Sequence, residues 1–137
     1  MDSDEKRIAQ VLGAREVPDV DKTSLMKYRK FLSRRLDKNT ILTGREDFPW
    51  EEKFVFGHGN AAEYERLRKN NPSYKDEYKL VDISDEDADE NDLVAQVERL
   101  SDKKHFQIGL SWLTTQDARS TDFQTLDDFA TWVANWG

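Results

Sequence analysis

The chain has 137 residues, enough for one domain with a modest core, since domains of about 100 to 150 residues are the commonest size. It contains no cysteine, which removes disulfides, thiolate nucleophiles and Cys-ligated zinc or iron–sulfur sites together. Its 28 acids against 21 bases leave a net charge of -7, which argues against a nucleic-acid partner, because affinity for that backbone comes largely from Lys and Arg; a local basic face is still compatible with it. No apolar run reaches the length of about 18 residues that a membrane span needs, and the amino end MDSDEKRIAQ is charged, so we expect a soluble, cytoplasmic chain with no membrane partner.

In chain order, residues 1–22 read as a weakly structured segment. Ile8, Val11 and Leu12 offer a short helical stripe, a weak helix or frayed tail, before Pro18 breaks the pattern. Residues 23–137 then read as one globular unit. From Thr23 to Leu36, Leu25, Tyr28, Leu32 and Leu36 recur at helical spacing, with Lys27, Arg29, Lys30, Arg34 and Arg35 mostly elsewhere. This is an amphipathic helix with a basic outer side, capped by Thr23 or Ser24. Ile41 and Leu42 suggest a strand and Phe54 to Phe56 another, with Gly44, Pro49, Gly57 and Gly59 at turns. Asn60 with Glu63 starts a short middle helix ending near Asn70 and Pro72.

The clearest β region follows. Residues 78–83, 93–98 and 105–110 each alternate with period two, and the short polar turn SDKK joins the second run to the third, which predicts an antiparallel meander. With strands from Ile41, Leu42 and the Phe54 run, the meander can curl into a small barrel that leaves no exposed edge. At the end, Thr125 and Asp128 read as a capping box, and Leu126, Phe129, Trp132, Val133 and Trp136 as the buried stripe of a final helix. The fold class expected is therefore α+β, a small antiparallel barrel or meander with an amphipathic N-terminal helix, a short middle helix and a C-terminal helix.

One segment is strongly biased. The stretch DISDEDADEND, residues 82–92, holds seven carboxylates and no base; without them the chain has 21 acids against 21 bases. About nine residues separate Ile83 from Leu93, more than an antiparallel connection requires, so excess length and excess charge coincide. Calcium takes about six to eight oxygen ligands in flexible geometry, which carboxylates, carbonyls and water supply together. Asp82, Asp85, Glu86, Asp87, Asp89, Glu90 and Asp92 are the first candidate ligands. Asp85, Asp87 and Asp89 alternate as an EF-hand loop begins, but that template fails. Glu90 stands where a turn glycine is needed, Gln96 where a bidentate Glu is needed, and strands flank the loop. The plainer reading is a solvated acidic loop without a ligand.

A second candidate is TGREDFPWEE, where Glu46, Asp47, Glu51 and Glu52 surround Phe48, Pro49 and Trp50. Here the alternative is that the two aromatic residues anchor the loop while the acids face water. Asp117, Asp122, Asp127 and Asp128 form a third group, of which the last two suit the positive end of the final helix. His58 and His105 are far apart and match no zincin or triad pattern, so no enzyme is expected.

The runs MKYRKFLSRRL, TILTGREDFPWEEKFVFG, EYERLRKNNPSY and LVAQVERLSDKKHFQIGLSWL together resemble the small bacterial calcium-binding proteins related to the cyanobacterial CcbP family, over roughly residues 25–136. The resemblance implies a helix of the form Y-x-x-x-L, here Tyr28 and Leu32, preceding a small SH3-like β-barrel. It also implies calcium held by acidic surface groups outside any EF-hand, as a buffer or sensor. The rival expectation is an interaction module, a monomer whose acidic loop and exposed Trp or Phe of DFPWEE dock onto a basic protein partner or inhibit it.

Overall fold

A computed structural model describes residues 2–57, 59–85 and 91–137. Along the chain run α1 (Ser3–Val11), α2 (Lys22–Arg35), β1 (Ile41–Gly44), α3 (Glu52–Val55), α4 (Ala61–Arg68), β2 (Glu77–Ile83), β3 (Val94–Arg99), β4 (His105–Gly109), β5 (Leu113–Thr115) and α5 (Thr121–Trp136). The class is α+β. The strands form one antiparallel sheet in the order β4-β3-β2-β1-β5. The sheet is open, with β4 and β5 at its two edges, and the expected closed barrel is not formed. The strand expected at Phe54–Phe56 is absent, because Pro49 with its fixed φ starts a 3-10 turn that runs on into α3. Phe54 packs on Tyr64 with ring centroids 5.1 Å apart, while Phe56 stays 65 % exposed.

Helix α2 forms where the spacing placed it, but Asp21 is its cap. The Asp21 carboxylate accepts the Ser24 amide at 2.8 Å, and the Ser24 hydroxyl accepts the Asp21 amide at 2.9 Å. The buried side of α2 meets α5, where Tyr28 stacks on Trp132 at 5.0 Å and meets the edge of Phe129 at 5.0 Å. Likewise the cap of α5 lies five residues before its expected capping box, with Ser120 accepting the Phe123 amide at 3.1 Å. Thr125 and Asp128 lie within that helix and are buried. Asp128 holds Arg7 of α1 through contacts of 2.7 and 3.0 Å. Ile8 and Leu12 join the core, so of the two readings, weak helix or frayed tail, it is the helix that forms. Its stabilising partner lies far along the sequence, and a local pattern cannot report it.

The second group of acids is split by burial. Glu51, expected as a surface ligand, is 0 % exposed. Its Oε1 accepts the amides of Phe48 (3.3 Å) and Tyr74 (2.8 Å), and its Oε2 accepts the hydroxyls of Tyr64 (2.6 Å) and Ser73 (2.7 Å). Four donors occupy the lone-pair sites of one carboxylate, which binds the 3-10 turn, α4 and the approach to β2 into one corner. Gly44 is read from sequence as a turn; it ends β1 against the same corner, where a Cβ would lie 2.4 Å from the Tyr74 Cα.

Burial and the Glu51 hydrogen bond push the Tyr64 phenol from 10.0 up to about 12. A folded-state value above the unfolded one means that this stability is fully present below pH 10 and is lost as pH rises toward 12. Denaturant titrations across that window should show the loss, and Tyr64→Phe should make it shallower without abolishing it, since burial also raises the Tyr28 and Tyr78 phenols; an unchanged slope would remove Tyr64 from the corner. Gly44→Ala should cost about 1 to 3 kcal/mol by overpacking against backbone, read as a lower urea midpoint. An unchanged midpoint would contradict the close approach.

Candidate cation site at the β2–β3 connection

The acidic stretch is carried by two paired strands. Pairing of β2 with β3 places Leu80 opposite Val97 and then Asp82 opposite Gln96, so one extra residue sits in β2 between them. This bulge resets the alternation. Tyr78 and Ile83 are both buried, although their numbers differ in parity, and Val81 is 53 % exposed. Asp82 consequently faces solvent where strict alternation would have put it on the side of Tyr78 and Leu80. Beyond it, the Ser84 amide donates to the Val94 carbonyl at 2.8 Å, and the Arg29 Nε of α2 donates to the Ile83 carbonyl at 2.8 Å.

The other end is pinned by Asp92, only 8 % exposed. Its Oδ1 accepts the amides of Leu93 (2.8 Å) and Ser111 (3.2 Å), and its Oδ2 accepts the Ser111 hydroxyl at 2.6 Å. A Cβ on Gly109 would lie 2.6 Å from that Oδ2, so the carboxylate needs a glycine beside it. Asp92 thus closes the connection onto the turn after β4. Its lone pairs are directed at the protein, unlike those of a group offered to solvent. Ser111, Gly109 and Arg29 carry no signal in the sequence that links them to this segment.

Asp82 and Asp85 are exposed, and among the described residues no Lys, Arg or His lies within ion-pair distance of either. Carboxylates elsewhere are differently employed. Asp76 bridges Arg68 and Arg99 at 2.9 Å each, Asp127 pairs with Arg45 at 2.9 Å, and Asp102 pairs with Arg99 at 2.8 Å. Asp122 accepts the Thr40 hydroxyl and the Asp37 amide. The Arg99 hydrogen bond draws the Asp102 carboxyl down to about 2, well below the ordinary range.

Glu86, Asp87, Asp89 and Glu90 lie outside the described residues, as does His58. Of the second acidic group, Glu46 and Glu52 are exposed, Asp47 is half-buried, and Glu51 belongs to the inner corner. Among the described residues no three His, Asp or Glu side chains converge on one point. The aromatic pair of DFPWEE is not an exposed anchor either. Phe48 is buried, and Trp50 is half-buried with its indole N–H donating to the Pro72 carbonyl at 2.7 Å. Both rings are used by the core and the Glu51 corner, which removes them from the docking surface expected of them. Among the described residues no helix is long and apolar enough to cross a membrane.

No family model matches the chain, and no curated protein matches it. In fold it is similar to the crystal structure of Anabaena CcbP, with a TM-score of 0.57 at 14 % identity, covering 98 % of this chain and 92 % of that one. At this identity the likeness speaks for a shared fold.

Proposed function

We propose that this chain binds calcium through the acidic stretch Asp82–Asp92, without an EF-hand. The observation that carries the reading is the contrast among its acids. The stretch contains the whole formal excess of -7, and Asp82 and Asp85 face solvent with no cation beside them among the described residues, while Glu51, Asp76 and Asp102 are taken up by internal bonds. Like charges crowded between two fixed strand ends repel one another, and a divalent ion relieves that repulsion. The fold likeness to Anabaena CcbP supports the reading, together with the sequence resemblance to that calcium-binding family. Asp82, Asp85, Glu86, Asp87, Asp89 and Glu90 are the proposed ligands, and Asp92 is the post that sets where the stretch ends. Glu46, Asp47 and Glu52 would at most form a separate, weaker site. The reading involves binding only, with no catalytic step.

Calorimetric titration should give calcium heat that magnesium does not reproduce, since a carboxylate-rich loop tolerates high coordination but cannot enforce a tight octahedron. Asp85→Asn, Asp87→Asn and Asp89→Asn combined should abolish most of that heat and leave the calcium-free melting temperature unchanged or slightly raised. At calcium about a hundredfold above its Kd the parent should gain about 2.7 kcal/mol, and the triple variant should gain none. Asp92→Asn alone should behave differently, losing about 1 to 3 kcal/mol of stability with or without calcium, because an amide cannot accept all three donors. Equal calcium heat in the parent and the triple variant would place the ion elsewhere.

A further inference from the structure

Helix α2 carries Lys22, Lys27, Arg29, Lys30, Arg34 and Arg35 and no acid within Lys22–Arg35, in a chain whose net charge is -7. Two of these cations are turned to other work. Arg29 holds the Ile83 carbonyl, and Arg35 lines a small cleft with Arg7, Tyr28 and Asp128. Lys27, Lys30 and Arg34 follow one another at spacings of three and four, on the side away from the buried Leu25, Tyr28 and Leu32, and all three are exposed. They form a crest about 10 Å long. None has a carboxylate within ion-pair distance among the described residues. Of the acids that bracket the helix, Asp21 caps it through the Ser24 amide at 2.8 Å and attracts Lys27 only at longer range, and Asp37 accepts the Asn39 amide at 2.8 Å. A row of like charges at these spacings destabilises the helix that bears it, and an anionic surface laid along the crest would relieve it.

We infer that the Lys27–Lys30–Arg34 crest is a docking surface for a carboxylate-rich segment of a partner protein. The excess negative charge of the chain selects this occupant over a phosphate surface. A nucleic-acid duplex or an anionic bilayer spreads its charge over an area wider than one helix, so it would also meet the exposed Asp82 and Asp85, which flank the Ile83 carbonyl held by Arg29 of this same helix and which screening over about 8 Å does not hide. A short acidic segment meets the crest alone. Two of the three groups are lysines, point charges suited to a row of single carboxylates, with one arginine for a bidentate contact.

The test uses the full chain with chelator present, which separates it from the calcium reading, and a fluorescent oligo-glutamate peptide as probe, followed by anisotropy at low ionic strength. The peptide should bind, and binding should weaken as salt is raised. Lys27→Gln, Lys30→Gln and Arg34→Gln combined should weaken it about tenfold, the size expected for three exposed ion pairs. A control with Lys6→Gln, Lys53→Gln and Lys103→Gln changes net charge equally and should leave binding close to that of the parent. The crest variant should melt no lower than the parent, since repulsion has been removed. No peptide binding, equal weakening in both variants, or tighter binding of duplex DNA or phosphatidylserine vesicles than of the peptide would each overturn the proposal.

Discussion

The pairing of β2 with β3 is the constraint on which the candidate site depends. It brings Ile83 opposite Ala95 and, through the Ser84 amide on the Val94 carbonyl, holds the two ends of the acidic stretch side by side. An unconstrained chain of this charge would extend by self-repulsion. The paired strands fix both flanks of the stretch, Ile83 and Ser84 on one side and Asp92 and Leu93 on the other. The bulge near Val81 adds a directional element, because it returns Ile83 to the core while leaving Asp82 outside. One inserted residue thereby satisfies both the packing of the sheet and the exposure of the first acid.

The acids of this protein fall into two physical classes. Glu51 and Asp92 are removed from water and are stable there because amides and hydroxyls surround them; burying a charge without such donors costs several kcal/mol, roughly the margin of a whole domain. They fix loops to the sheet. Asp82 and Asp85 are exposed and have no cationic partner among the described residues, so their charge is available to something that arrives from solution. The same division applies to the bases. Arg99 is buried over Asp76 and Asp102 with its guanidinium against Phe106, and Lys27, Lys30 and Arg34 stand outside.

This division was not legible in the sequence, which writes all carboxylates alike. Glu51 and Glu52 are neighbours, and only the tertiary approach of Tyr64, Ser73 and Tyr74 separates their fates. The long periodic elements were legible. Leu25, Tyr28 and Leu32 announce α2, the stripe through Trp132 announces α5, and the period-two runs announce β2, β3 and β4. Sequence periodicity failed where a long-range contact decides the outcome. Asp128 holds α1 in place through Arg7, and the Phe54 run turns helical because Trp50, Phe54 and Tyr64 pack together instead of pairing as strands. With that run gone from the sheet, no strand among the described residues joins β4 to β5, and the sheet stays open.

The proposed calcium ion would act at the β2–β3 connection. Backbone amide chemical shifts followed during a calcium titration test it most directly, because they report position as well as binding. Saturable shifts are expected at Ser84, Asp85 and Asn91 and at the residues between them, with the amides of Glu46, Asp47 and Glu52 unmoved. Shifts centred on Glu46 to Glu52, or no saturable shift anywhere, would contradict it.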